Sequence, residues 1–270
     1  MCSDQPMVHR LSALIPLAAV GGVLSVPANL SPVQAAPSSC PTPMQGRYAV
    51  MGMGVQSGKG SNTPTAHVLE ERWLAGGKLQ GTLVERVGRS ERQASYSGEA
   101  RMSRACVLEL ERSLPWGRER SEVVLDGKGR PLYSINRTAG TVITSRWLPM
   151  APGSCKAADL NGLVLSSQVG LSWRNGGWSP NAVLQREQWS NGNVKGLALA
   201  SYSGMGETAA YSGQLKLDPA SCWGSLSERD ALGVNYTYRA LLVNGRSGAR
   251  GYLYLQSDPD DLTAGWLVRD

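Results

Sequence analysis

The sequence contains no phenylalanine and only two histidines among its 270 residues. Aromatic packing must therefore rely on tryptophan and tyrosine, whose indole N–H and phenol O–H need hydrogen-bond partners when buried. His9 falls in the N-terminal segment, so a Ser-His-Asp triad or a histidine-rich zinc site would depend on His67 alone. The glycine-rich stretches lack the spacing of a Walker phosphate loop. The sequence therefore predicts no catalytic residues, no cofactor and no metal.

Long apolar runs are scarce as well. The run from Leu11 to Val26 is broken by Pro16 and is shorter than the ~20 residues of a membrane helix. Val33-Gln34-Ala35 follows it with the small-x-small pattern of a cleavage site. Residues 1–35 are predicted to be a signal peptide, with an uncleaved anchor as the alternative. The mature chain is expected to be exported, either periplasmic or secreted, with no stable membrane span.

The rest of the chain reads as one module written twice, in residues 36–150 and 151–270. The two copies match in order, with an offset of roughly 115 to 121 residues. Ordered matches at a nearly fixed offset are the signature of a tandem repeat. The matched positions include Ser39-Cys40 with Ser154-Cys155, Trp73 with Trp189, Tyr96-Ser97-Gly98 with Tyr211-Ser212-Gly213, Cys106 with Cys222, and Trp147 with Trp266.

Four cysteines remain once Cys2 leaves with the signal peptide. An even number of cysteines in an exported chain predicts disulfides. The repeat favours one bridge in each module, Cys40–Cys106 and Cys155–Cys222. A bridge between the modules, such as Cys106–Cys155, is the alternative.

Within each module, apolar and polar residues alternate with the period of a half-buried antiparallel strand. Residues 104–113 and 140–148 show this alternation, and turn signals such as Asn175-Gly176 and Asn191-Gly192 separate the segments. Eight such strands are expected in each module. Eight sequential strands lose their exposed edges by closing into an up-and-down barrel, and an open sandwich is the rival architecture.

Gly46-Arg47-Tyr48, at the start of the first strand, is similar to the G-x-W motif of the lipocalin/calycin group, with tyrosine in place of tryptophan. The second module has Asn161-Gly162-Leu163 there. The Tyr-Ser-Gly stretch with a cysteine about ten residues later also resembles uncharacterised exported bacterial β-barrel proteins. The resemblance implies an all-β fold of two tandem eight-stranded antiparallel, lipocalin-like barrels. It also implies binding of an apolar ligand, and it carries over no catalytic residue.

The repeated aromatic residues are the candidates for lining a ligand cup, although packing the core is the alternative role. The first hypothesis is an exported, non-enzymatic barrel protein that binds a small apolar or amphipathic ligand. The second is a structural or envelope-interaction protein with filled barrels, and the third is a cofactor-free isomerase or cyclase. Titratable groups converging in a cavity would favour the third. The candidate ligand-binding residues are Trp73, Trp189, Trp147, Trp266, Tyr96 and Tyr211.

The formal net charge is +6, and the positive residues are spread along the chain. No lysine or arginine cluster forms the stripe that nucleic acids require, so no nucleic-acid partner is predicted. A basic surface predicts attraction to an anionic envelope lipid or polysaccharide.

Overall fold

The structure, a computed structural model, describes residues 39–58, 61–244 and 250–269. The predicted signal peptide, residues 1–35, lies outside the described residues. The described chain is almost entirely β-strand and closes into two barrels that belong to one compact unit.

Each barrel contains eight strands in sequence order. The first is built from β1 (Gly46–Gly58), β2 (Ser61–Trp73), β3 (Lys78–Val87), β4 (Ser90–Met102), β5 (Leu108–Leu114), β6 (Gly117–Leu125), β7 (Pro131–Asn136) and β8 (Thr141–Met150). The second is built from β9 (Gly162–Arg174), β10 (Gly177–Ser190), β11 (Asn193–Tyr202), β12 (Met205–Leu217), β13 (Trp223–Asp230), β14 (Asn235–Asn244), β15 (Arg250–Gln256) and β16 (Asp261–Arg269).

Every strand pairs antiparallel with the next, and the last strand of each barrel pairs with its first. In the first barrel Arg47 lies opposite Met150, and in the second Asp261 lies opposite Ser172. Closure removes the exposed sheet edges that a sandwich would retain. The predicted fold of two tandem up-and-down barrels is confirmed.

Tight turns connect the strands where the sequence signals them. Asn175 and Gly176 have φ values of 52° and 80°, and Asn191 and Gly192 have 48° and 83°. Two successive positive φ values define the hairpin turn whose twist matches that of the flanking strands. The register of β9 on β10 and of β10 on β11 follows from these turns.

Each barrel folds a tyrosine over a glycine on the neighbouring strand. Tyr96 lies opposite Gly81, and Tyr211 lies opposite Gly196. A Cβ atom on either glycine would lie 2.6 Å or 2.5 Å from the tyrosine hydroxyl oxygen. Only glycine leaves room for the ring, so the pair fixes the path of the tyrosine side chain along the wall.

The two barrels pack side by side through outward-facing apolar residues. Ala49, Met51 and Val68 of the first barrel join one apolar cluster with Leu253 and Leu255 of the second. The strands at this contact are therefore apolar on both faces, because one face fills a barrel and the other meets the neighbouring barrel.

Arg86 on β3 reinforces this contact with hydrogen bonds. Its fully buried guanidinium donates to the backbone carbonyls of Gln256 (2.7 Å), Asp258 (2.9 Å) and Pro259 (3.2 Å). Those carbonyls belong to the last residue of β15 and to the connection between β15 and β16. The first barrel therefore holds one loop of the second in place.

The structure bridges Cys40 to Cys106 and Cys155 to Cys222. Each bridge ties the entry of a barrel to the segment before its fifth strand. Two disulfides indicate an oxidising, exported environment. Within the described residues, no helix has the length and apolarity needed to cross a membrane.

Candidate ligand-binding site in the second barrel

The interior of the first barrel is filled by aromatic side chains. The rings of Tyr48, Trp73 and Trp147 pack with centroids 5.1 to 6.0 Å apart. The Trp73 indole donates to Glu71 (2.6 Å), and the Trp147 indole donates to the Ser134 hydroxyl (3.0 Å). These buried N–H groups are satisfied inside the barrel, which is the pattern of a packed core.

A hydrogen-bonded charge network completes this interior. Arg112 donates from Nε to Glu71 (2.6 Å) and from Nη1 to Glu119 (2.8 Å). The Tyr96 hydroxyl donates to the same oxygen of Glu71 as Arg112 does, Oε2 (2.7 Å). Buried charges persist when they are paired and hydrogen bonded, and Arg112 supplies the cation that both carboxylates require.

His67 is also buried in the first barrel, with Nε2 3.0 Å from the Ser145 hydroxyl oxygen. Burial, with a further contribution from Arg112, lowers its pKa to about 3. The imidazole is therefore neutral at physiological pH. Its Nδ1 has no hydrogen-bond partner among the described residues.

The second barrel repeats the acidic half of this network. Glu187 matches Glu71, and it accepts from the indole of Trp189 (2.5 Å) and from the hydroxyl of Tyr252 (3.2 Å). Burial raises the pKa of Glu187. In the first barrel the equivalent carboxylate, Glu71, is paired with Arg112. The second barrel has no arginine at the position that matches Arg112.

That position holds Glu228. Arg112 and Glu228 each lie six residues after the second cysteine of their module, and each lies opposite a matched glycine, Gly98 or Gly213. The side chain of Glu228 is buried, with 5 % of the residue exposed. The repeat has therefore exchanged a buried arginine for a buried glutamate.

The environment of Glu228 disfavours its charged form. Burial, followed by the charge of Glu187, raises its pKa to about 8, while hydrogen bonds from Gln185 and Tyr238 act in the opposite direction. Desolvation and a nearby like charge both raise the pKa of a carboxyl group. Glu228 is thus poised to exchange a proton close to neutral pH.

A cavity of about 50 Å³ lies beside Glu228 in the second barrel. The cavity exists because three residues that line it on β11 and β12 have small side chains: Ala198, Ala200 and Ala209. A water molecule requires ~10–15 Å³ by this kind of measure, so the cavity has room for a few waters or one small head group.

The mouth of the cavity is acidic and aromatic. Glu207, Asp230 and Asp261 line it, together with Tyr202 and Tyr236. These residues lie near the ends of their strands, so the mouth opens between the turns of the barrel. The lining residues include no arginine, lysine or histidine among those the structure describes. Arg174 approaches the mouth, with Nη2 3.7 Å from the Asp261 carboxylate, and remains half exposed.

Tyr211 lines the cavity with a hydroxyl that is not satisfied. The residue is 8 % exposed, and its hydroxyl has no hydrogen-bond partner within the described chain. Burial, followed by the charges of Glu187 and Glu228, raises its pKa, so the phenol stays protonated. A buried polar atom without a partner is costly and marks a place for a ligand atom or a water.

No protein-family model and no curated protein sequence matches the chain. The solved structures that match it include the following two. One is an AttH candidate from Nitrosomonas europaea, with 6 % identity, a TM-score of 0.26, and coverage of 83 % of this chain and 92 % of that one. The other is the MucA/MucB complex of Pseudomonas aeruginosa, with 13 % identity, a TM-score of 0.17, and coverage of 82 % and 89 %.

The six aromatic residues singled out from the sequence occupy different environments. Trp73, Trp147 and Tyr96 belong to the filled interior of the first barrel, and Trp189 is buried in the second. Of the six, Tyr211 is the residue that lines the cavity beside Glu228.

Trp266 is not equivalent to Trp147, although the repeat aligned them. Trp266 lies opposite Ser167 on the outer face of the second barrel, and Arg146 of the first barrel sits 6.0 Å from its ring. Its neighbour Leu267 takes the inward position. A shift of one residue turns a side chain to the other face of a strand, so the aligned Trp-Leu pair gave the wrong face.

Glu228 and the alanines around it were not among the residues predicted from the sequence. The signal was present, because the matched cysteines align Arg112 with Glu228 directly. The sequence alone shows that the charge is reversed at this position of the repeat. It does not show that the side chain points into the barrel. Among the described residues, no group of three or more His, Cys, Asp or Glu side chains is arranged to hold a metal ion.

Proposed function

We propose that this protein is an exported binding protein whose second barrel receives a small polar or amphipathic ligand. The first barrel serves as a filled scaffold beside it. The observation that carries the proposal is the exchange of Arg112 for Glu228, which leaves a buried carboxyl group beside a cavity in the second barrel.

The difference between the two interiors supports this assignment. Arg112 and three aromatic rings occupy the centre of the first barrel. In the second barrel, alanines and polar side chains surround a cavity with room for a few water molecules. Because the walls combine apolar side chains with a buried carboxyl group and a tyrosine hydroxyl, they suit an amphipathic ligand with its polar end inside better than an entirely apolar one.

The test compares two alanine substitutions on the same strand. Ala209 faces the cavity, and its exposed neighbour Ala210 faces outward. Purified protein is screened by isothermal titration calorimetry against hexylammonium, hexanol and hexanoate, which share a tail and differ in charge. Binding of any one of them to wild type, its loss in Ala209→Leu and its retention in Ala210→Leu are expected.

Equal binding by both leucine variants would place the ligand outside the barrel and overturn the proposal. Native mass spectrometry of protein purified from its source gives an independent readout. A co-purified small molecule present on wild type and on Ala210→Leu, and absent from Ala209→Leu, is expected.

The alternative function, contact with an anionic envelope lipid or polysaccharide, would use the outer surface. On the first barrel that surface carries several arginines, but Arg118 and Arg120 pair with Glu111, and Arg137 pairs with Glu122. Paired charges present little net field to an anionic surface. The structure therefore favours the interior of the second barrel.

A second candidate function is acid–base catalysis by Glu228, as in an isomerase. A carboxyl group with a pKa near 8 beside a cavity has the protonation behaviour of a general acid or base. Such a residue would remove a proton from a carbon acid and return one from solvent. Incubating small ketones in D₂O and following their C–H signals by NMR tests this role: exchange in wild type and none in Glu228→Gln is expected.

A further inference from the structure

The second barrel contains acidic groups without a resident cation. Glu187 and Glu228 lie close enough that each raises the pKa of nearby buried groups, and no lysine, arginine or histidine lines the cavity within the described part of the chain. In the first barrel the equivalent space between Glu71 and Glu119 is bridged by the guanidinium of Arg112. The first barrel therefore shows which kind of group, a hydrogen-bonding cation, can lie between such carboxylates.

The unpartnered hydroxyl of Tyr211 is an independent sign of a missing group. Tyr96, its counterpart, donates to the carboxylate of Glu71 within a closed network. The Tyr211 hydroxyl lies close enough to Glu187 for the two groups to shift each other's pKa, but no described group meets it at hydrogen-bonding distance and angle. An incoming donor beside Glu228 would find a phenol oxygen with free lone pairs.

We propose that the cavity of the second barrel receives the ammonium group of a small organic amine, bound by the carboxylate of Glu228 and the hydroxyl oxygen of Tyr211. The proposal rests on the proposed function and names the class of ligand. The bound ammonium takes the place that the Arg112 guanidinium occupies in the first barrel.

The donor pattern of an ammonium suits the acceptors that line the cavity. An ammonium carries three N–H donors and no acceptor. Glu228 supplies a carboxylate and Tyr211 a phenol oxygen, while the amide oxygen of Gln185 already accepts from Ser166 (2.7 Å) and Gln168 (3.1 Å). A cavity of about 50 Å³ accommodates the head group and leaves the tail to extend through the mouth.

The mouth favours the same ligand. Glu207 and Asp230 give it negative charge, Arg174 offsets the charge of Asp261, and the rings of Tyr202 and Tyr236 border it. A cation is attracted to the face of an aromatic ring as well as to a carboxylate. The acidic opening contrasts with the net charge of +6 for the whole chain, so the negative field is local to this site.

The experiment measures binding of hexylammonium, hexanol and hexanoate by calorimetry. Wild type is expected to bind hexylammonium at least ten-fold more tightly than the other two. Glu228→Gln should remove that preference, because it keeps the shape and deletes the charge. Glu109→Gln, which removes an exposed carboxylate from the first barrel, should behave as wild type.

The affinity should also follow the proton on Glu228. As the pH rises from 6 to 9, Glu228 ionises and binding of hexylammonium should strengthen, whereas Glu228→Gln should show a flat profile. The tyrosines around it keep their protons over this range, because burial raises the pKa of each. The titratable and polar groups that face Glu228 are Glu187 and Gln185 on β10, Tyr211 on β12, Tyr238 on β14 and Tyr254 on β15.

The outcomes separate the two proposals. Tighter binding of hexanol or hexanoate than of hexylammonium, abolished by Ala209→Leu, would overturn the amine assignment and leave the second barrel as a binding site. If wild type binds none of the three probes, or binds them equally well after Ala209→Leu, both the amine assignment and the proposed function would be overturned. An unchanged preference for hexylammonium in Glu228→Gln would also overturn the assignment.

Discussion

At the scale of single residues, one substitution within the repeat separates the two barrels. Arg112 compensates two carboxylates, and Glu228 adds one. Without a cation the buried Glu228 keeps its proton to higher pH, so the second barrel gives up stability as the pH rises and this carboxyl group must ionise. A binding site that accepts a cation recovers that free energy when the ligand enters.

Arg112→Met is expected to destabilise the first barrel strongly. It leaves Glu71 and Glu119 buried without a cation, and removing one partner of a buried pair typically costs about 3–5 kcal/mol. Urea denaturation measures the loss. Arg118→Met, which breaks an exposed pair with Glu111, should cost less than about 1 kcal/mol. Similar losses for the two variants would contradict this account of the interior.

Glu228→Gln is expected to change how stability depends on pH. The unfolded glutamate has a pKa of 4.5 and the folded one about 8, so the native state binds more protons between these values. Stability must then fall as the pH rises from 4.5 to 8. Unfolding followed at several pH values should show a smaller fall in Glu228→Gln than in wild type. A fall of the same size in both would show that Glu228 ionises as it does in the unfolded chain.

At the scale of the strands, the sequence predicted most of what the structure contains. Eight strands per module were predicted from the turn residues and from the alternation of apolar and polar residues. That alternation arises because each strand has one face inside a barrel. The alternation at residues 104–113 predicted a strand from near Arg104, whereas the fifth strand begins at Leu108. Cys106 adopts a left-handed φ of 59°, as Cys222 does with 64°, and this turn delays the strand. A left-handed cysteine has no signature in sequence.

The contents of the barrels were harder to predict than their walls. Alternation identifies two faces of a strand, but β1–β3 and β14–β16 are apolar on both because the barrels pack together. Whether an interior is filled depends on the summed volumes of side chains from all eight strands. The cavity beside Glu228 arises from alanines on two neighbouring strands, and no local pattern marks it.

Gly196→Ala is expected to destabilise the second barrel and disturb its cavity. The added methyl would meet the ring of Tyr211, which lies directly across the ladder, so the ring must shift. Overpacking of this kind costs about 1–3 kcal/mol. Thermal denaturation should show a lower Tm for Gly196→Ala. Gly206→Ala, on the adjoining strand with open space around it, should stay close to wild type, and an equal loss there would contradict the explanation.

At the scale of the whole molecule, the barrels are joined by an apolar contact and by hydrogen bonds. Arg86 of the first barrel gathers the carbonyls of the β15–β16 connection. That connection ends at Asp261, which lines the mouth of the cavity. The first barrel thereby positions part of the mouth of the cavity in the second barrel, so the two barrels are structurally coupled at this site.

The two disulfides are expected to differ in their resistance to reduction. Cys155 and Cys222 are 1 % and 0 % exposed, whereas Cys40 and Cys106 are partly accessible. A thiolate must reach the sulfur to attack it. Native protein treated with dithiothreitol and then alkylated should show labelling of Cys40 and Cys106 first in peptide mass spectra. Earlier labelling of Cys155 and Cys222 would contradict the arrangement.

The most direct test restores in the second barrel the arginine of the first. The free energy of unfolding of Glu228→Arg is measured by urea denaturation at pH 8, with and without hexylammonium, beside wild type. Without the amine, the variant is expected to be more stable than wild type. With the amine, wild type should be stabilised and the variant should not. A variant that is less stable than wild type, or that the amine still stabilises, would contradict the claim that the second barrel lacks a cation its ligand supplies.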